Sequence, residues 1–81
     1  MNEPSKDTLN SYVYQILRQK REWLTPYVIC AMLQLYRNTL VSDSSVTARL
    51  RDLRKERYGG HSIVKRRKEG SRSFEYRLEG K

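Results

Sequence analysis

Residues 42–78 constrain this chain more than any other stretch. Ser42 and Asp43 are polar starts for a segment in which Val46, Leu50 and Leu53 recur at i, i+4 and i+7. That spacing lays the apolar residues along one side of a helix, which is expected over residues 44–56. Tyr58-Gly59-Gly60-His61 breaks it. Residues 63–67 then read as a short strand, with Ile63 or Val64 toward the core, and Glu69-Gly70-Ser71 is turn chemistry. Phe74, Tyr76 and Leu78 alternate with Glu75 and Arg77, the pattern of a half-buried strand. The second half is therefore a helix followed by a β-hairpin.

The first half completes the core. The polar start, residues 1–6, is expected to be a disordered lead, and residues 7–79 to form the folded domain. Leu9, Tyr12, Val13, Ile16 and Leu17 sit at helical spacing, so a first helix covers roughly residues 6–21, with Ser5 or Asp7 as its cap. Arg18, Lys20 and Arg21 suit the negative end of its dipole. Trp23 and Leu24 form an apolar link, with Trp23 expected to fill the core. Thr25-Pro26 is a hydroxyl cap followed by proline at the first helical position. The second helix should run from residue 26 to 35 or 36. Val28, Ile29, Met32, Leu33 and Tyr36 share its inner side, while Tyr27, Cys30 and Gln34 point away. Leu40 and Val41 are expected to return to the core before the third helix.

The charge is uneven. The 81 residues carry a formal net charge of +8, and residues 42–81 hold 12 basic and 6 acidic side chains. Residues 54–72 alone hold 8 basic and 2 acidic ones. Concentrated positive charge points to a polyanion. Nucleic acid suits it better than a membrane surface, because no segment pairs a basic face with an exposed bulky apolar one. No apolar run approaches the ~20 residues that span a bilayer, and no signal-peptide pattern is read at the start. Cys30 is the sole cysteine, which excludes an intramolecular disulfide and agrees with a reducing, cytoplasmic setting.

Three helices and a hairpin in this order resemble the winged helix-turn-helix DNA-binding domain. Residues 45–55, Ser-Val-Thr-Ala-Arg-Leu-Arg-Asp-Leu-Arg-Lys, look like the recognition helix of small bacterial or phage winged-helix repressors. Residues 63–78 look like their wing, and Leu24-Thr25-Pro26 like the entry to their second helix. The resemblance implies an α+β fold, a three-helix bundle with a C-terminal β-hairpin wing, that binds double-stranded DNA as a transcriptional regulator. The connector over residues 37–41 is longer than the usual tight turn. No long dimerisation helix is read, which leaves a homodimer or a protein partner open.

On that resemblance the third helix enters the major groove by its amino end. Ser44, Ser45, Thr47, Ala48 and Arg51 then lie nearest the base edges, with Arg51 long enough to grip a guanine by two bonds. Arg49, Arg54 and Lys55 are assigned to phosphates. Thr25 and Tyr27, at the start of the second helix, are assigned to another phosphate. Lys68 and Arg72 flank the hairpin turn and are expected to reach a narrow minor groove, with Arg66 and Arg67 on the backbone.

Other readings stand beside this one. The same fold serves as a protein-docking module without DNA, for which Tyr14, Tyr27 and Cys30 are candidate contacts. RNA or an unusual duplex is a third partner class. Asp52, Glu56 and Glu69 can pair locally with the cations and weaken the field. His61 is expected in the Gly-Gly loop, and Cys30 as a passive thiol. One Cys and one His fall short of a zinc set. No catalytic triad, carboxylate pair or phosphate loop is evident, so neither an enzyme nor a cofactor is expected.

Overall fold

In the computed structural model, which describes residues 5–79, three helices precede a two-stranded antiparallel hairpin, an α+β arrangement. The elements are α1 (Lys6–Lys20), α2 (Pro26–Arg37), α3 (Asp43–Leu53), a 3-10 turn (Glu56–Tyr58), β1 (Ile63–Arg67) and β2 (Phe74–Leu78). Each helix starts at a hydroxyl cap. Ser5, Thr25 and Ser42 accept the backbone N–H of Thr8, Val28 and Ser45, each at 3.2 Å, satisfying donors that the helix itself leaves unpaired. Ser5 and Lys6 thus belong to the first helix. The rest of the expected disordered lead, residues 1–4, lies outside the described residues. α1 and α2 stop where Arg21 and Asn38 turn left-handed, at φ 49° and 48°.

The apolar stripes meet in one core. Leu9, Val13, Ile16 and Leu17 of α1 pack with Ile29 and Leu33 of α2 and with Val46, Leu50 and Leu53 of α3. Ile63, Tyr76 and Leu78 close it from the hairpin. The strands pair Ile63 with Leu78, Lys65 with Tyr76, and Arg67 with Phe74. Leu24 adds a bridge outside β2, exchanging both backbone hydrogen bonds with Tyr76 at 2.8 and 2.7 Å. The hairpin root is thereby tied to the residue that enters α2. Among the described residues no helix is long and apolar enough to cross a membrane.

Several local expectations change. α3 ends at Leu53 rather than residue 56. Lys55 turns extended, and the Leu53 carbonyl accepts the N–H of His61 at 2.9 Å across the Gly-Gly loop. Leu40 does not return to the core but is 75% exposed, whereas Val41 packs against it. Tyr36 is also exposed, with its ring under the Lys20 ammonium. Cys30 points toward α3, where its Sγ–H donates to Asp43 Oδ1 at 3.3 Å. Tyr14 is half-buried and stacks on His61.

Trp23 is not core filling. Its ring lies between the guanidinium groups of Arg66 and Arg77, at 4.1 and 4.6 Å from its centroid. With both guanidinium groups still partly exposed, contacts of this kind stabilise by about 0.5–1 kcal/mol each. They tie the outer face of the hairpin to the α1–α2 link. Trp23→Ala is expected to cost about 2–3 kcal/mol. Urea unfolding followed by circular dichroism measures it, since Trp23 is the sole tryptophan; a loss under about 0.5 kcal/mol would refute the clamp.

Candidate nucleic-acid interface

A groove of about 520 Å³ runs between the starts of α2 and α3 and the tip of the hairpin. Thr25, Tyr27 and Thr47 line the helical bank, and Lys68, Arg72 and Phe74 the opposite one. These residues come together because the bridge at Leu24 sets the hairpin beside the α2 cap. Beyond Tyr76 the hairpin outruns the core, and Phe74 emerges 38% exposed. Its ring carries Lys65 Nζ at 4.9 Å and Arg67 Cζ at 5.8 Å. Lys65 and Phe74 were absent from the sequence-based set. Strict alternation places Lys65 on the same face as Ile63, so that signal was available.

The face of α3 follows from helical geometry. Asp43, Thr47, Arg51 and Arg54 fall within a stripe roughly 80° wide. Asp43 and Thr47 border the groove, and Arg51 and Arg54 continue their stripe toward the carboxyl end, both exposed. Ser44 is exposed beside it, and Ala48 is half-buried. Thr47 Oγ1 donates to the Asp43 carbonyl at 3.0 Å. Ser45 is half-buried and its N–H is spent on the Ser42 cap.

Arg49 and Lys55, expected at phosphates, do not stand free. Both are drawn to Asp52, at 3.1 and 3.4 Å, and Lys6 joins from α1 at 3.6 Å. The Arg49 side chain is only 16% exposed, on the flank of α3 that faces α1, away from the groove. Burial opposes ionisation of Asp52. The hydrogen bond from Lys55 and the charges of Arg49, Lys6 and Lys55 outweigh it and hold the carboxyl below its usual range. Arg66, expected on the backbone, does not stand free either. It projects from the outer hairpin face, bound to Glu75 at 3.0 Å and stacked on Trp23.

The result is a division of labour between the hairpin faces. Glu75 and Glu79 pair with Arg66 and Arg77 on the outer side. Among the described residues, Arg51, Arg54, Lys65, Arg67, Lys68 and Arg72 form no ion pair. Their charge is therefore not cancelled at close range. Among the described residues Asp43 is the one carboxylate lining the groove, and it takes the Cys30 thiol as donor.

Burial, the hydrogen bond to Asp43 and the charge of Asp43 push the Cys30 thiol up to about 12. The thiol stays neutral at physiological pH, and only a thiolate is a strong nucleophile. Alkylation at pH 8 is expected to be at least about a hundredfold slower than for an unhindered cysteine. Asp43→Asn should accelerate it. Mass spectrometry of iodoacetamide adducts over time tests both; labelling at the rate of free cysteine would contradict the buried, carboxylate-bound thiol.

The groove thus sets a basic hairpin bank against a polar helical bank, with the Tyr27 backbone N–H and the Thr25 hydroxyl at the α2 start. Such an arrangement can hold a polyanion on both sides of a ridge. No protein-family model, no curated protein and no solved structure matches this chain.

Proposed function

We propose that this chain is a sequence-specific double-stranded DNA-binding protein of the winged helix-turn-helix type, a transcriptional regulator acting in the cytoplasm of a bacterium or for a phage. The observation that carries this reading is the groove whose hairpin bank bears the unpaired Lys68 and Arg72, with the unpaired Arg51 and Arg54 exposed farther along the α3 stripe that borders it. In this reading α3 lies in the major groove and the hairpin follows the adjacent backbone or minor groove. Thr25 and Tyr27 meet a phosphate at the α2 start. Arg67 and Lys65 extend the electrostatic contact from the hairpin.

Selection of random duplexes by the purified protein at two salt concentrations tests binding and specificity together. A base consensus supports the proposal, and a palindromic one adds a dimer. Recovery of random sequence at both salts would overturn specificity. Arg51→Ala is expected to cost about 1–3 kcal/mol at the selected site and to relax preference at one position. Equal losses on every sequence would reassign Arg51 to the backbone.

A second reading, a protein-docking module, draws on α2. Leu35 and Leu40 are each 75% exposed, and Tyr27 and Tyr36 are exposed as well. Arg37 is the only charged residue of that helix. Absence of duplex binding at low salt, together with a stoichiometric protein partner lost on Leu35→Lys, would favour this reading.

A further inference from the structure

Away from the groove, a second cavity of about 250 Å³ opens where the start of α1 meets the end of α3. Asp7, Asn10, Ser11 and Tyr14 line one side, and Leu53, Tyr58 and His61 the other. Asn10 is only 4% exposed, and neither its Oδ1 nor its Nδ2 has a hydrogen-bond partner. A buried amide left unmet at both ends is destabilising, and it stands on the same helical side as the core residue Val13. An apolar residue would serve the fold better there.

The rest of the cavity is aromatic. Tyr14 and His61 stack with ring centroids 4.1 Å apart and planes 26° from parallel. His61 holds that position because residue 59 is glycine. Its φ is 110°, and a Cβ there would stand 2.5 Å from His61 Nε2. Tyr58 completes the rim, with Lys6 and Arg57 over its ring at 5.8 and 5.5 Å.

We propose that this cavity binds a small, neutral, planar heterocycle with adjacent hydrogen-bond donor and acceptor atoms, the size of one pyrimidine ring. The Asn10 amide, buried just behind the cavity wall with both ends unmet, would turn its acceptor and donor pair outward to meet such an edge by two bonds. The stacked Tyr14–His61 pair and Tyr58 give the cavity an aromatic lining against which a flat ring packs. The volume falls below the roughly 300 Å³ at which drug-sized pockets begin, which suits a single ring. Asp7 on one side and Lys6 and Arg57 on the other favour neither ionic sign. This site is independent of the DNA reading.

The test is a titration of the full ¹⁵N-labelled chain with cytosine, uracil and nicotinamide, with benzene as the control lacking polar atoms. At least one heterocycle is expected to shift the Asn10 side-chain amide and the Tyr58 and His61 resonances saturably, with Kd on the order of 1 mM. Benzene should bind more weakly. Asn10→Leu should keep the dispersed spectrum and weaken binding roughly tenfold. Tyr58→Ala, at the rim, should weaken it several-fold and serves if Asn10→Leu does not fold. The proposal is overturned if no heterocycle shifts these resonances at about ten times that concentration. It is equally overturned if benzene binds as well, or if the folded variants retain the parental Kd.

Discussion

Raising salt from 50 to 200 mM is expected to lower affinity for duplex DNA roughly 500-fold, a slope of log K against log salt near −4.5. That value corresponds to about five phosphates neutralised, the number available if Arg54, Lys65, Arg67, Lys68 and Arg72 all engage. None of these forms an ion pair among the described residues, so each can displace a condensed counterion. The variant Lys68→Ala/Arg72→Ala should bring the slope up by about 2 and weaken all sequences alike. Arg49→Ala and Arg66→Ala should leave it unchanged, because their guanidinium groups are spent on Asp52 and on Glu75 and Trp23. Fluorescence anisotropy with a labelled duplex measures each slope. Affinity indifferent to salt would end the DNA reading, and equal slope changes at Arg49 and Lys68 would refute the assignment of faces.

The second large effect concerns stability. Asp52→Asn is expected to cost about 2–4 kcal/mol at pH 7, because it leaves the partly buried Arg49 without its counter-charge. Lys6 and Lys55 are half-exposed and contribute little of that, since water screens them. The carboxyl titrates lower in the folded chain than its ordinary unfolded value of about 3.9. Its stabilisation is therefore complete above about pH 4 and disappears as pH falls through the lower folded value. The gap between parent and variant should be full at neutral pH and shrink in acid. Urea midpoints at pH 7, 4 and 2.5 test this. Equal stability at pH 7 would show that the cluster contributes nothing.

The caps and the hairpin were legible because their signals are local. Ser42, Thr25-Pro26 and the alternation from Phe74 to Leu78 each name their own conformation within a few residues. The end of α3 was not, because the bond that stops it runs from His61 back to Leu53 across the loop. Trp23 reads as core on hydrophobicity alone. Its actual place depends on which hairpin face turns toward the α1–α2 link, a long-range matter. The same holds for Arg49: its i, i+3 spacing to Asp52 is visible, but not that this flank meets α1 and Lys6. Of the candidate interface, the cations at the turn and on the outer stripe of α3 were legible from pattern. Phe74 was legible as a strand residue, but its emergence beyond the core was not. Leu40 failed for another reason, since an apolar residue in a connector carries no period by which to judge its side.

Tethering of Leu24 to Tyr76 and the clasp of Trp23 make the hairpin a cantilever fixed at its base. Swinging it relative to α2 would require breaking two backbone bonds and two ring contacts together. Compliance is thus confined to the overhang past Phe74, and the span between the hairpin and the starts of α2 and α3 is set by the scaffold. If the proposed DNA reading holds, a duplex of mismatched width must distort itself to fit, and the protein would act as a caliper rather than as a clamp that adjusts.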